Sequence, residues 1–378
     1  MASLLIDGSV LEGGGQILRN STSLSALLGK PVSIHKIRNA RKPPGLRNQH
    51  RTGLELAARI SSAQLTGATT GSEAIDFVPG RIVLPGSFTA DSVTAGSTTL
   101  LLQIALPLLF FSPAPGTPPS TLVLLGGTNA TLAPQIDYSQ HVFLPFLRRH
   151  FGLPPGSVEL EIRKRGYYPR GGGEVKVSVA PVERLCAAKV LKRGRVRYVG
   201  GIAHFAGLPM SVGREMVFGA RKTLGEAEGL DVTKEDVEVD IRLKRERNED
   251  SKGAGSGIVL WAELEGGGII GGSAVGSKGI EPYRVGEEAA QELLRGLRAD
   301  GCVDEWLQDQ IIIYMALADG KSEIRCGKGG LALHTKTAIW VAEQLTEAKF
   351  EVEEEPSGHT VIRCQGIAYN TCSGVLAR

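Results

Sequence analysis

The stretch LALHTKTAIWVAEQL, residues 331–345, places a histidine between a short apolar strand and a helix that the sequence predicts. The helix is predicted from one apolar stripe, formed by Ala338, Val341, Ala342 and Leu345. The positive end of a helix dipole disfavours imidazolium, so His334 keeps a nucleophilic lone pair, and nearby backbone N–H groups suit a phosphate. His334 is therefore suited to attack a phosphorus centre. A buried structural histidine or an ordinary surface histidine is the alternative.

A second candidate site is EGGGQ, residues 12–16, between a predicted strand and a predicted helix. Its glycines leave backbone N–H groups exposed at the helix start, which is a general anion site. Glu12 could hold a divalent cation, and Arg19 inside the helix could hold a phosphate. The alternative is a tight turn with a solvent-facing acid. EGGGQ does not match the GxGxxG dinucleotide fingerprint, and the GxxxxGK[ST] phosphate loop and the HExxH zinc motif are absent.

The predicted helix in VDEWLQDQIIIYMALADG, residues 303–320, has two distinct faces. The apolar core stripe consists of Leu307, Ile311, Tyr314 and Met315. Trp306, Asp309 and Gln310 share another face at i, i+3, i+4 spacing. An aromatic ring beside an acid and an amide could stack a purine and bind its edge or ribose. Ordinary surface composition explains this face equally well.

A run of basic residues extends from Lys30 to Arg51 without an acidic residue. Pro43, Pro44 and Gly45 predict a loop in this run rather than a regular helix face. Cationic side chains on a loop would suit a polyphosphate or an RNA backbone. A solvated basic face is the alternative.

Composition excludes several classes of protein. With 378 residues and 42% hydrophobic residues, the chain can bury a large core, and a net charge of +3 does not by itself indicate a nucleic-acid binder. No apolar stretch approaches the ~20 residues of a membrane span, and the first residues lack the pattern of a secretory signal. Five cysteines without CxxC spacing argue against a disulfide framework or a zinc site. We therefore expect a globular protein of a reducing compartment.

Alternating strand and helix patterns predict an α/β (α+β) fold. Three rounds of similar composition suggest a large domain of three repeated βα units, covering residues 1–183 and 281–378. The residues between these two segments, 184–280, differ from them in composition, with strand-rich segments, one long helix and a charged glycine-rich loop. This segment is predicted to be a smaller inserted α/β domain.

Six motifs in order along the chain resemble the RNA 3'-terminal phosphate cyclase family in its eukaryotic catalytic form. They are DGSVLEGGGQILRNSTSLS, IRNARKPPGLRNQH, GGTNATLAPQIDY, RGYYPRGGGEV, VDEWLQDQIIIYMALADG and LALHTKTAIWVAEQL. The resemblance spans nearly the whole chain. It implies the same architecture of repeated units with an insert, and ATP-dependent conversion of an RNA 3'-phosphate to a 2',3'-cyclic phosphate through adenylyl-histidine and an adenylylated RNA end.

The resemblance also implies roles for residues at matching positions. His334 matches the catalytic histidine, which attacks the α-phosphorus of ATP, and Glu12 would serve Mg²⁺ or Mn²⁺. The positions that match ATP contacts are Gln103, Pro134, Trp306, Asp309 and Gln310. The positions that match phosphate or RNA-end contacts are Arg19, Arg38, Arg41, Gln49 and His50. Two departures are Trp306, where a tyrosine is usual, and Lys42-Pro43, which replaces a small-residue pair.

Two other functions are alternatives to RNA 3'-phosphate cyclisation. A non-catalytic branch of the same family binds pre-rRNA in ribosome assembly but lacks the histidine, so His334 and EGGGQ favour the enzyme. Enolpyruvyl transferases use similar repeated units, but the motif set does not match them. The implied partner is RNA with a 3'-terminal phosphate, no membrane is expected, and the location is expected to be the nucleus, the cytoplasm or both.

Overall fold

One order of elements, βαβαββ, occurs three times in the computed structural model, which describes residues 2–112, 116–234 and 236–370. Within these residues each copy forms a four-stranded sheet, and a fourth such sheet belongs to a segment inserted into the third copy. The predicted α/β class, with repeated units and an insert, is therefore confirmed.

The first unit begins the chain. Its elements are β1 (Leu4–Asp7), α1 (Gly15–Leu28), β2 (Val32–His35), α2 (Asn48–Ile60), β3 (Gln64–Thr66) and β4 (Ile75–Val78). In the sheet order β1-β2-β4-β3, β1 and β2 are parallel, and β4 is antiparallel to both of its neighbours. Helix α1 buries Ile17 and Leu24 completely, and it ends where Gly29 adopts a left-handed conformation with φ 65°.

The second unit repeats this arrangement. Its elements are β5 (Ser87–Asp91), α3 (Thr98–Leu109), β6 (Ser120–Gly126), α4 (Ile136–Tyr138), a π-helical turn (Ser139–Phe143), α5 (Leu144–His150), β7 (Val158–Lys164) and β8 (Gly173–Val179). The sheet order is β5-β6-β8-β7, with the same parallel and antiparallel pairings as in the first unit. Strands β6 and β8 bury every second residue, as expected of strands with one face on a core.

The third unit starts with β9 (Lys189–Val190) and is then interrupted by the insert. The insert consists of β10 (Val196–Ala206), α6 (Met210–Gly225), β11 (Glu238–Arg245), β12 (Gly255–Leu264), β13 (Ile269–Val275) and α7 (Pro282–Arg298). Its sheet order is β11-β10-β12-β13. The unit resumes with α8 (Glu305–Leu317), β14 (Lys321–Lys328), α9 (Leu333–Leu345), β15 (Lys349–Glu354) and β16 (His359–Gln365). Strands β9 and β14 are parallel, which completes the repeated topology.

Apolar packing favours limits for the insert that differ from residues 184 and 280. Strand β9 lies within 184–280, yet it pairs with β14 in the third sheet. Helix α7 lies beyond 280, yet Val285, Ala289 and Leu293 pack in the separate core of the insert. The division into 1–183 plus 281–378 and 184–280 stays a prediction, and packing favours an insert closer to 196–298.

The helices of the three units pack against one another and share one core. Helix α1 contacts α9, α3 and α2, and α8 contacts α9. These contacts bring the start of α1 and the start of α9 together, although they belong to the first and third units.

Two local predictions were wrong. The sequence TGLELAARISSAQL predicts a helix over residues 52–65, but α2 begins at Asn48, so the end of the basic run is its first turn, and α2 stops at Ile60 because Gln64–Thr66 pair with β4. The apolar strand predicted before His334 is absent, since β14 ends at Lys328 and two glycines with positive φ turn the chain.

Among the described helices, none combines the length and the apolar composition that a membrane span requires. Cys186, Cys302, Cys326 and Cys364 are free thiols. Cys372 lies outside the described residues.

A buried ion-pair network joins the second unit to the insert. Arg165, 1% exposed, donates from Nη2 to Asp137 Oδ1 at 2.9 Å and from Nε to Glu246 Oε1 at 2.9 Å. Burial opposes ionisation of Asp137, but the Arg165 guanidinium outweighs it and holds the pKa of that carboxyl well below its usual range. Asp137 belongs to the second unit and Glu246 follows β11, so one guanidinium binds both parts of the molecule.

His204 of β10 extends this network. Its Nδ1 lies 2.9 Å from the Tyr167 hydroxyl, and its Nε2 lies 3.0 Å from Gln135 Oε1. Burial, and then the Arg165 charge, lower the pKa of His204 to about 3, so the ring is neutral at neutral pH. Gln135 Nε2 in turn donates to the carbonyl oxygens of Ile258 and Ala274 in the insert. The orientation of the insert is thus fixed by buried polar contacts.

Replacing Arg165 tests this network. Arg165→Met leaves Asp137 buried without its cation, and we expect a loss of about 3–5 kcal/mol in the free energy of unfolding, measured by urea denaturation. Arg163→Met, which removes exposed ion pairs on the preceding strand β7, is the matched control and should leave the urea midpoint nearly unchanged. Equal midpoints for the two variants would show that the network does not stabilise the fold.

Candidate active site

Glu12 lies in the connection between β1 and α1, and its carboxylate folds back over Gly14. A Cβ added at Gly14 would lie 1.9 Å from Glu12 Oε1, so any side chain there would displace the carboxylate. The Glu12 backbone N–H donates to Thr337 Oγ1 of α9 at 3.1 Å. Glycine therefore permits the inward position of Glu12, and the third unit holds the backbone there.

His334 is the second residue of α9 and faces Glu12. Its Nδ1 lies 3.9 Å from Glu12 Oε1, and Arg41 Nη2 lies 3.3 Å from the same oxygen. The His334 side chain is 50% exposed, whereas the Glu12 side chain is 8% exposed. The ring thus turns Nδ1 toward a buried acid, while half of the side chain stays exposed.

Arg19 and His50 flank the start of α1. A Cβ added at Gly15 would lie 2.7 Å from Arg19 Nη1 and 3.0 Å from His50 Nε2, so both groups crowd the first residue of that helix. His50 Nδ1 accepts a hydrogen bond from the Arg47 backbone N–H at 3.1 Å, so the ring proton is on Nε2. Burial, and then the charges of Arg19, Arg38 and Arg47, lower the pKa of His50 to about 3. His50 is therefore a neutral donor at the site.

Gln49 and Arg38 complete the basic side of the site. Gln49 lines one small cavity together with Arg19 and His50. Arg38 Nη1 donates to the Gly45 carbonyl oxygen at 2.9 Å, which holds the basic loop closed. Burial, and then the neighbouring Arg47 and Arg41 charges, lower the pKa of Arg38. The cations are crowded, and an anion placed between them would relieve their repulsion.

Asp309 of α8 faces Arg19 across the site. Its Oδ1 is buried without a hydrogen-bond partner among the described residues. Burial raises the pKa of Asp309 to about 7, against the opposing effect of the Arg19 charge. Glu12 Oε2 is likewise buried without a partner. Two acceptor oxygens are therefore available for a ligand or a cation.

The described residues offer a divalent cation only part of the ligand set that it needs. The described residues contain no group of three or more histidine, cysteine, aspartate or glutamate side chains placed to hold a metal. The partner-free Glu12 Oε2 is the donor that Mg²⁺ or Mn²⁺ would use, and the other ligands would be oxygens of substrate or water.

The remaining candidates for ATP binding lie on neighbouring elements. Trp306 is half-buried, and its Nε1 donates to Glu292 Oε1 of α7 at 2.7 Å. Gln310 Nε2 donates to the Trp306 carbonyl oxygen at 2.6 Å. Pro134 is buried and its carbonyl oxygen accepts from Thr99 Oγ1, while Gln103 is half-buried on α3. Within the described residues, no hydrogen bond joins these four to Glu12 or His334, so their ATP contacts stay predictions.

Comparison with known proteins identifies the family. Residues 10–352 match the family model described as RNA 3'-terminal phosphate cyclase. The chain belongs to the RNA 3'-terminal phosphate cyclase family. It is 41% identical over 367 residues to the Drosophila melanogaster protein named RNA 3'-terminal phosphate cyclase, covering 97% of each chain. It is 40% identical to the Pyrobaculum aerophilum protein of that name, covering 97% of this chain and 99% of the relative. The resemblance inferred from the six motifs is confirmed.

The sequence did not predict that Thr337 holds the backbone of Glu12. Their position near the helix start makes Thr335 and Thr337 candidates for helix caps in the sequence, but the N-cap residue of α9 is Ala332 and no side chain caps it. Thr337 Oγ1 instead donates to the Leu333 carbonyl oxygen at 2.7 Å while accepting from Glu12. No spacing rule links residues 12 and 337, so only the folded chain reveals this contact.

The raised pKa of Asp309 predicts a pH-dependent stability term. A carboxyl whose pKa rises on folding, from 3.8 to about 7, gives stability that is fully present below its unfolded pKa and is lost as pH rises through about 7. In urea unfolding between pH 4 and pH 8, Asp309→Asn should therefore gain stability relative to the wild type as pH rises. Other groups titrate in both proteins and cancel in the difference. A difference that does not change with pH would contradict the burial of this carboxyl.

Proposed function

We propose that the protein uses ATP to convert an RNA 3'-terminal phosphate into a 2',3'-cyclic phosphate, releasing AMP and pyrophosphate. The observation that supports this most directly is the placement of a half-exposed histidine at a helix start, 3.9 Å from a buried glutamate. Arg19, Arg41 and His50 surround this pair with donors for phosphate oxygens. The named relatives point to the same reaction.

The first step is attack of His334 Nε2 on the α-phosphorus of ATP. A P–N bond forms, the bond from the α-phosphorus to the bridging oxygen breaks, and pyrophosphate leaves with that electron pair. Because Nδ1 is turned toward Glu12, the acid orients the ring and stabilises the positive charge that grows on it. The backbone N–H groups at the start of α9 and the nearby guanidinium groups are placed to stabilise phosphate charge.

The second and third steps transfer AMP and close the ring. An oxygen of the RNA 3'-phosphate attacks the AMP phosphorus, and the P–N bond breaks to release His334. The neighbouring 2'-OH then attacks the 3'-phosphorus, loses its proton, and expels AMP. Activation is needed because an oxide is a poor leaving group from a phosphate monoester, whereas AMP leaves readily from an anhydride.

Substrate positioning follows from the same site. Arg19, Arg38, Arg41, Gln49 and His50 would hold phosphates of ATP or of the RNA end, and Gln103, Pro134, Trp306, Asp309 and Gln310 would hold the nucleotide. Glu12 would hold Mg²⁺ or Mn²⁺, which neutralises phosphate charge. His50 suits this arrangement because a neutral ring with a proton on Nε2 donates to an anion at any physiological pH. A nuclear or cytoplasmic location stays a prediction.

Replacing His334 tests the nucleophile. His334→Ala should abolish both labelling of the protein by α-³²P-ATP and cyclisation of RNA 3'-phosphate, because it removes the nitrogen that would form the P–N bond. The wild-type label should be lost in acid and kept in base, as expected of a phosphoramidate. His35→Ala, which removes another half-exposed histidine on β2, is the control and should still be labelled. Cyclisation by the His334 variant at the wild-type rate would refute the assignment.

An RNA with a 2'-deoxy terminal nucleotide separates AMP transfer from ring closure. Such an end should accept AMP and accumulate as an adenylylated 3'-phosphate, since no internal hydroxyl lies in reach. The product is read by gel mobility and mass, beside the ribose end as the control. A non-catalytic RNA-binding member of the family would modify neither end. Release of the deoxy end unmodified, while the ribose end is cyclised, would exclude the adenylylated intermediate.

A further inference from the structure

A groove of about 350 Å³ opens beside the candidate active site and is lined by residues from two units. The lining residues are Arg47, Asn48, Gln49, Thr70, Thr94 and Gly96. Gln49 also lines the small cavity next to Arg19 and His50. The groove is therefore continuous with the place where a terminal phosphate would bind.

Two glycine-containing loops extend the groove toward the insert. A Cβ added at Gly171 would lie 2.8 Å from the Thr94 carbonyl oxygen, so the 168–173 loop packs directly on the groove wall. A Cβ at Gly172 would lie 2.4 Å from Lys252 Cδ, and a Cβ at Gly253 would lie 2.9 Å from Arg170 Cδ. Each long cationic side chain thus lies across a glycine of the opposite loop. The active site, the second unit and the insert form one continuous surface, here called the lateral surface.

The cations of the lateral surface are free to bind an anion. Arg47, Arg170 and Lys252 are exposed, and across the described ranges none of them makes an ion pair. The nearest acids along the insert loop are already engaged, since Glu246 binds Arg165 and Asp250 binds Arg247. The surface therefore presents uncompensated positive charge along a line that leads away from the active site.

An exposed aromatic ring accompanies these cations. Tyr168 is 77% exposed at the tip of a turn that is closed by the Gly171 N–H donating to the Tyr167 carbonyl oxygen at 2.8 Å. Arg170 is in the same turn. Proteins that bind single-stranded nucleic acids stack bases on exposed aromatic rings and contact the backbone through nearby cations.

We propose that the lateral surface binds the single-stranded RNA segment immediately upstream of the 3'-terminal phosphate. Arg47, Arg170 and Lys252 would contact successive backbone phosphates, and Tyr168 would stack on a base. The insert thereby contributes to substrate binding through Lys252. This inference rests on the proposed function for the identity of the RNA end, but the groove and its charges are independent of the chemistry.

The double variant R170A/K252A tests the backbone contacts by fluorescence anisotropy, which does not require turnover. Labelled 3'-phosphorylated oligonucleotides of two and eight residues are compared at 50 and 200 mM salt. On a single strand, each phosphate contact adds about 0.7 to the slope with which log affinity falls against log salt concentration. When two contacts are lost, the drop in octanucleotide affinity between 50 and 200 mM salt should therefore be about sevenfold smaller than in the wild type. Dinucleotide affinity should change much less, because a dinucleotide carries only one phosphate upstream of its 3'-terminal phosphate.

Arg59→Ala is the matched control. Arg59 is an exposed cation at the other end of α2, about 18 Å from Arg47 along the helix axis, and it makes no ion pair in the part of the chain described. It should leave octanucleotide affinity and its salt dependence unchanged. Urea midpoints of all variants establish that they are folded.

The results separate the two proposals. If R170A/K252A weakens the dinucleotide and the octanucleotide equally, or has the salt dependence of the wild type, the lateral surface does not bind upstream RNA. If the wild type binds the octanucleotide with the expected salt dependence but cyclises no RNA, the proposed function is wrong, whereas RNA binding by the lateral surface is supported. Failure of the R59A control would show that the effect is nonspecific and would also overturn the inference.

Tyr168 is tested with a pair of variants. Tyr168→Ala should weaken octanucleotide binding about fivefold or more through lost stacking, whereas Tyr168→Phe keeps the aromatic face and should bind like the wild type. Equal affinities for the alanine variant and the wild type would exclude stacking at this position. A loss in both variants would assign the effect to the hydroxyl group instead, and stacking would again be excluded.

Discussion

The candidate site depends on the packing of α1 against α9, which joins the first and third units. Their contact is anchored at one end by the Glu12 N–H donating to Thr337 Oγ1, between residues 325 positions apart. At the other end, Lys30 Nζ donates to the Leu345 carbonyl oxygen at 2.9 Å. The separation of His334 and Glu12 is therefore set by α9 and by a connection whose backbone is bonded to α9 just before α1 begins. A site assembled from distant units in this way requires the whole repeated domain to be folded.

The electrostatics of the site arise from burial more than from pairing. Desolvation is the largest effect on the pKa of Asp309 and of His50, and it acts in opposite directions on an acid and a base. Both groups are pushed toward their neutral forms, an effect that the neighbouring cations oppose at Asp309 and reinforce at His50. Electrostatic interactions are stronger where water is excluded, so Arg19 can stabilise phosphate charge more effectively here than on an open surface. A neutral His50 can also donate to an anion without adding to the crowded positive charge.

Sequence patterns predicted the elements well where a single stripe or a glycine determines the local structure. The sequence QILRNSTSLSALLG predicts a helix closed by Gly29, which is where α1 ends, and the repeated order of strands and helices follows from apolar periodicity. The start of α2 was missed because its first turn lies within a basic run that has no apolar stripe. The role of Thr337 was missed because its partner is in another unit, and local spacing contains no information on such pairs. Local composition groups β9 with the insert and α7 with the large domain, whereas strand pairing and core packing favour the opposite grouping, because these contacts join residues far apart in the sequence.

Buried polar contacts hold the insert against the second unit. Arg165 follows β7 and immediately precedes the 166–173 loop, and its backbone N–H donates to the Asp250 carbonyl oxygen at 2.7 Å. The same short segments that form the buried network therefore continue directly into Arg170 and Lys252. A buried ion pair contributes little net stability compared with an apolar pair, but it fixes one arrangement of its partners. Here that arrangement places Lys252 of the insert beside the loop of the second unit that carries Arg170, so the proposed RNA segment would meet both cations together.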